Sequence, residues 1–149
     1  MGVIVVGVDG SEGAEIALNF AIKEAALRGS KLRIVCAWEI PASVLASVVA
    51  GKEFYEEFRE TAIQVVAEAA ALVEEKKPDV EHEEIVVEGQ AAKVILDNAT
   101  DAELMVVGRR GHGSFAEMLL GSVSRQVVVH AKCPVVVVPS PKLKQQASS

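Results

Sequence analysis

Leu104-Met105-Val106-Val107-Gly108-Arg109-Arg110-Gly111-His112-Gly113, running on to Gly121-Ser122-Val123-Ser124, is the stretch that decides the fold. Its apolar head, Leu104 to Val107, reads as a buried strand, and Val123, Val127, Val128 and Ala131 stripe a helix behind it. A strand, a glycine-rich loop and a helix start in that order can hold a phosphate. Glycines let the backbone approach an anion, and the first N–H groups of a helix point at it. The spacing is particular: two residues separate Gly108 from Gly111, nine more lead to Gly121, and Ser122 follows directly.

Outward from this unit, strand and helix patterns alternate. Val3 to Val8 is a continuous apolar run, as expected of a central parallel strand covered on both faces. Asp9-Gly10-Ser11-Glu12-Gly13 is turn and cap chemistry. Ala14, Ala17, Leu18, Ala21, Ile22 and Ala25 then form one helical stripe that Gly29 ends. Leu32 to Ala37 reads as a second strand, and Trp38 to Gly51, with Pro41, as irregular. A long helix begins near Lys52 on the stripe Phe54, Phe58, Ala62, Val65, Ala69 and Leu72, and Pro78 stops it. Glu84 to Val87 is a third strand. Gln90 to Ala99 is a short helix burying Ala91, Val94, Ile95 and Asn98, and Pro134 to Val138 is a fifth strand. The alternation predicts one α/β domain over residues 1–139, a five-stranded, mainly parallel, Rossmann-like sheet with helices on both faces. The polar residues 140–149 read as a disordered tail.

In such sheets ligands bind beyond the carboxyl ends of the strands, where the strand order switches. Asp9, Ala37 and the loop from Gly108 all emerge at that edge. Each residue there also has a bland reading. Gly108 and Gly111 serve either anion approach or turns needing positive φ. Gly121 and Ser122 are a phosphate cradle or a plain helix entry. Ser122 and Ser124 offer hydroxyls beside the N–H groups of Gly121, Ser122 and Val123. Asp9 is a turn former and cap, or it meets a ribose or a magnesium-bound phosphate. Arg109 and Arg110 pair with phosphate or are solvated, and His112 is a phosphate neighbour or an exposed loop histidine. His130, at the end of the last helix, suits the helix dipole.

The common nucleotide loops do not fit. No GK[ST] is present and no lysine lies between Lys93 and Lys132, which excludes a Walker A loop. Asp9 puts an acid where the pyrophosphate of a dinucleotide fold would sit. A response-regulator relative would want a phosphoaccepting aspartate after the third strand, where Glu88-Gly89 stands.

Composition narrows the field further. Half of the 149 residues are hydrophobic but only 4% are aromatic, so the core is aliphatic. A net charge of −6 argues against nucleic acid as a partner and gives an anionic ligand no long-range steering. No apolar run has membrane-spanning length, and the N-terminus lacks a secretory pattern, so a cytoplasmic protein is expected. Cys36 and Cys133 lack ligand spacing and read as small apolar side chains, with a lone disulfide as the alternative.

The Gly-x2-Gly-x9-Gly-Ser motif, the opening Val8-Asp9-Gly10-Ser11 and the ending His130-Ala131-Lys132-Cys133-Pro134-Val135-Val136-Val137-Val138 resemble the universal stress protein family, in its ATP-binding branch. The resemblance runs from about Val3 to Val138. It implies an adenine nucleotide α-hydrolase-like arrangement. The glycine loop and helix start would hold phosphates and ribose, Asp9 would lie near the ribose–phosphate region, and the end of the second strand would give backbone contacts to adenine. The candidate nucleotide-binding set is Gly7, Val8, Asp9, Ala37, Val107, Gly108, Arg109, Gly111, His112, Gly121, Ser122, Val123 and Ser124. ATP is the expected cofactor, with magnesium reaching Asp9 through phosphate.

Phosphoryl transfer needs charge neutralisation and an oriented nucleophile. The sequence offers phosphate donors but no convincing base (Glu117 has no evident geometry) and no lysine. A dimeric, nucleotide-dependent regulator of the stress response is therefore expected. Slow ATP hydrolysis or autophosphorylation, and a non-nucleotide interaction module, are the alternatives. The run Val135-Val136-Val137-Val138 between two prolines suits an edge strand that must be covered. The family resemblance implies a homodimer through it, and self-covering by the tail is the alternative.

Overall fold

The computed structural model describes residues 2–47, 52–109 and 120–140. Five strands form one sheet: β1 (Val3–Gly7), β2 (Lys31–Trp38), β3 (His82–Glu88), β4 (Leu104–Gly108) and β5 (Val135–Val138). Their order is β3-β2-β1-β4-β5 and every pairing is parallel. Strands alternate with α1 (Glu12–Arg28), α2 (Ala42–Ser47), α3 (Lys52–Lys76), α4 (Ala91–Asp97) and α5 (Ser122–His130). None of the described helices is long and apolar enough to cross a membrane.

Alternation along the strands divides the core into two layers. Ile4, Val6, Ile34, Leu104 and Val106 face α1 and α3, while Val5, Val35, Met105 and Val107 face α4 and α5. Covering on both faces is why the strands read as unbroken apolar runs. The α1 stripe is buried at every expected position. Ser11 caps that helix by accepting from the Ala14 N–H at 3.1 Å, and Gly29 closes it in the left-handed region at φ 65°.

Several expectations need correction. Residues 42–47, read as irregular, form α2. Pro41 stands just before it, where a missing N–H costs nothing, and its carbonyl accepts from Val44 and Leu45. On α3 the buried line is Ala62, Val66, Ala69, Ala70 and Val73, with Val65 and Leu72 only half-buried beside it. The helix is rotated towards β2 and β3 relative to its sequence stripe. On α4 the buried side is Ala92, Val94 and Ile95, followed by Ala99. Ala91 and Asn98 are half-buried, because Ala91 opens the helix and Asn98 closes it. Val128 is 45% exposed, since α5 turns Ser124 and Val127 inward instead.

Both cysteines are free and lie on opposite faces of the sheet, which removes the disulfide alternative. Burial pushes the Cys36 thiol up to about 11, with Asp9 adding to the shift. The strand β5 lies at a sheet edge with its four valines half-buried. The expected tail lies outside the described residues from 141 onward.

Candidate functional site

The chain leaves β1 towards β2 on one side and reaches β4 on the other, so the order switches between β1 and β4. Above that point, at the carboxyl ends of the strands, lies a cleft of about 260 Å³. Its floor is Gly7, Val8, Ala37, Val107 and Gly108. One wall is the start of α5, with Gly121, Ser122, Val123 and Ser124, and the other is the turn and helix start Asp9, Ser11 and Ala14. Ala91 and Ile95 of α4 complete it.

Ten of the candidate residues therefore come together here: Gly7, Val8, Asp9, Ala37, Val107, Gly108, Gly121, Ser122, Val123 and Ser124. Arg109 does not line the cleft but supplies its peptide group to the frame. Gly111 and His112, with Arg110 and Glu117, lie outside the described residues. Sequence reading missed Ser11, Ala14, Ala91 and Ile95. Ala91 and Ile95 stand one turn apart on a helix, a spacing that marks a shared face but not the cavity that face borders.

Glycine earns its place here by close approach. A Cβ on Gly108 would sit 2.8 Å from the carbonyl oxygen of Gly13 and 2.9 Å from its carbon, so the end of β4 passes against the backbone before α1. The positive-φ reading does not apply to Gly108; that conformation belongs to Gly10, Gly29 and Gly89. A Cβ on Gly7 would press on the Ile95 side chain, 2.6 Å from Cδ1 and 3.4 Å from Cγ1, with Val107 Cγ1 in ordinary contact at 4.0 Å.

The helix start is open. Gly121 occupies the cap position of α5 with φ −73° and ψ 171°, and makes no side-chain cap bond to the first turn among the described residues. The N–H groups of Ser122 and Val123 thus keep their donor capacity towards the cleft. Gly121 itself does not, contrary to expectation: its N–H donates to the Arg109 carbonyl at 2.8 Å. The Ser124 hydroxyl, also expected to face a ligand, donates to the same oxygen at 2.7 Å. Its buried position turns it inward. Ser122 is exposed beside it.

Asp9 serves the turn as well as the cleft. Its Oδ1 accepts from the Ser11 N–H at 2.9 Å, so Ser11 rather than Asp9 is the cap of α1. Asp9 is the one acidic or basic side chain among the described residues of the lining. No cluster of three or more His, Cys, Asp or Glu side chains that could hold a metal occurs among the described residues.

Known proteins share both the sequence and the fold. A protein of Mycolicibacterium smegmatis named as a universal stress protein is 38% identical over 135 residues, covering 91% of this chain and 45% of its own length. The chain thus spans about half the length of the first such relatives. The universal stress protein from Archaeoglobus fulgidus, solved in complex with dAMP, is 27% identical with a TM-score of 0.70, covering 93% of this chain and 98% of that one. A universal stress protein in complex with cAMP is 27% identical with a TM-score of 0.67, over 93% and 96% of the two chains. The model of the Universal stress protein family matches residues 1–139, and this chain belongs to that family.

Proposed function

We propose that this chain is an ATP-binding regulator of the stress response, dimeric through β5 and cytoplasmic, whose cleft holds the nucleotide with little turnover. The observation that carries the reading is the uncapped start of α5 facing a cleft at the switch point. Relatives of the same fold were solved with cAMP and with dAMP, which supports an adenine nucleotide as the class of ligand.

In this reading the N–H groups of Ser122 and Val123, with the Ser122 hydroxyl, receive phosphate oxygens. Helix-end polarity adds about 0.3–1 kcal/mol per favourable charge. Gly108 lets the strand end run close beneath the ligand, and Gly111 and His112 belong to the same loop by the family motif. The backbone at Ala37 meets adenine, with Ile95 and Ala91 as the apolar wall. Asp9 faces the ribose, or magnesium carried by the phosphates, through the carboxylate that already holds the Ser11 turn. Magnesium would neutralise phosphate charge that the described lining has no cation to meet.

Equilibrium binding of ATP to purified protein tests this directly, with saturation expected below millimolar concentration. No saturable binding at millimolar ATP would end the nucleotide reading. Comparing phosphate release by the wild type and by Gly121→Ala tests turnover; release abolished by the substitution would favour an enzyme. Sedimentation at micromolar concentration is expected to show a dimer, and a monomer would count against pairing through β5.

A further inference from the structure

We infer that Ser124 is a positioning residue of the cleft, acting through the Arg109 peptide rather than touching the bound anion. The inference rests on the nucleotide reading for its consequence, though not for its geometry. Ser124 is 3% exposed, and its Oγ lies 2.7 Å from the Arg109 carbonyl oxygen and 3.1 Å from that of Gly121. A serine hydroxyl has one proton to give. The shorter contact takes it.

The oxygen that receives it is already engaged. The Gly121 N–H donates to it at 2.8 Å, so the Arg109 carbonyl receives both this N–H and the Ser124 hydroxyl. On the other side of the same residue, the Arg109 N–H donates to the Val138 carbonyl at 2.9 Å. The backbone of Arg109 is therefore pinned where β4 leaves the sheet, β5 ends and α5 begins. Serines inside helices usually bond back to a carbonyl one turn earlier. Here the stronger bond instead crosses fifteen residues of chain, which makes it a tertiary latch.

The latch fixes the distance between the exit of β4 and the first turn of α5. That distance decides whether the N–H groups of Ser122 and Val123 converge on an anion lying over Gly108. Two serines of one turn thus have different work. Ser122 is exposed and meets the ligand, while Ser124 is buried and holds the turn that presents it.

Amide hydrogen exchange of the ligand-free full chain, followed by ATP titration, separates the roles. Ser124→Ala removes the hydroxyl donor and keeps the Gly121 N–H on the Arg109 carbonyl, and near-UV and far-UV circular dichroism checks that the variant folds. Exchange at the Gly121 amide is expected to rise about tenfold as the shared anchor loosens, while the Val127 amide, deeper in α5, exchanges as in the wild type. ATP affinity is expected to fall about tenfold in the same variant. Ser122→Ala should leave Gly121 exchange unchanged.

Weakened ATP binding with wild-type exchange at Gly121 would make Ser124 a direct ligand and overturn the inference. Faster exchange with unchanged ATP affinity would reduce it to a structural residue, and equal acceleration at Val127 would show general loosening; either result overturns it. Absence of ATP binding by the wild type would defeat the nucleotide reading instead, and the exchange of Gly121 would still report on the latch.

Discussion

Where the strands begin, side chains close the molecule on itself. Arg33 donates to Glu83, to Asp101 at 2.7 Å and to the Asn98 carbonyl at 2.8 Å. Lys31 reaches Glu83 at 3.0 Å, and the Ser30 hydroxyl donates to Glu103. Where the same strands end, the lining is glycine, alanine, valine, isoleucine and serine, with Asp9 alone carrying charge among the described residues. At the first end charges are matched within the fold. At the second, backbone donors of α5 stay open and the floor carries only glycine, alanine and valine. The contrast teaches that, in the proposed reading, this acidic chain would not hold its ligand by charge placed near it. Peptide groups held still would do so instead, and that reading fits a site marked by glycine spacing rather than by lysine.

The largest expected effect breaks the open end by filling it. Gly108→Ala places a Cβ against the Gly13 backbone, which has no rotamer to yield, and is expected to cost about 3 kcal/mol of stability by overpacking. Gly7→Ala presses on the Ile95 side chain and should cost about 1 kcal/mol, because that side chain can turn. Urea unfolding of the two variants gives the comparison. Equal losses would mean that the close approach at Gly108 is not what requires glycine there.

A gentler change removes a donor and leaves the fold. Ser122 is the first residue of α5, where proline is well tolerated, and Gly121 before it is already in the extended conformation that precedes proline. Ser122→Pro is expected to weaken ATP binding by about tenfold or more, the worth of a hydrogen bond to a charged group, with little change in the urea midpoint. Ser122→Ala separates the hydroxyl from the peptide and should fall between. If Ser122→Pro binds ATP as the wild type does, the helix start is not the anion site.

These variants also mark what the sequence could and could not disclose. The apolar runs of β1 and β4 and the stripe of α1 were legible because burial on both faces and helical period act locally on neighbouring residues. The edge where Asp9, Ala37 and Gly108 meet followed from strand and helix alternation, whereas the switch between β1 and β4 is set by the strand order. The short helix α2 escaped because Pro41 reads as a breaker unless it is seen as a helix entrance. The wall made by Ala91 and Ile95 escaped because an apolar pair on a helix looks like core whichever cavity it borders. The roles of Gly121 and Ser124 were least legible of all. Both serve the Arg109 carbonyl, and a hydrogen bond closed across a loop leaves no periodic trace.

The closed end should respond to substitution in stability alone. Arg33→Met keeps the length of the stem and removes the donors to Glu83, Asp101 and Asn98. The Arg33 side chain is 15% exposed, but Asp101 stands out in solvent, so the bonds to Glu83 and the Asn98 carbonyl are the better shielded ones. A lower urea midpoint is expected, with ATP affinity unchanged, the loss coming mainly from the bond to the Asn98 carbonyl because the exposed ion pairs are screened. A parallel fall in affinity would join the two ends and remove the contrast.

The smallest effect tests the sign of that bracing. Arg33 first, and Lys31 second, hold the Glu83 carboxyl below its ordinary value of 4.5, and Arg33 lowers Asp101 in the same direction. Their folded values lie below their unfolded ones, so the stability they contribute is complete above the unfolded value and is lost as pH falls through the folded one. Acidification from pH 7 to about 3 therefore lowers the urea midpoint of the wild type. Arg33→Met should lose less over the same interval, because it has less pairing to forfeit, while Lys31 leaves Glu83 a residual shift. Both proteins share every other titrating carboxyl, so subtracting the two acid losses isolates the ion pairs at this end. Equal losses would show that Arg33 braces the strands through its bond to the Asn98 carbonyl, which does not titrate, rather than through charge.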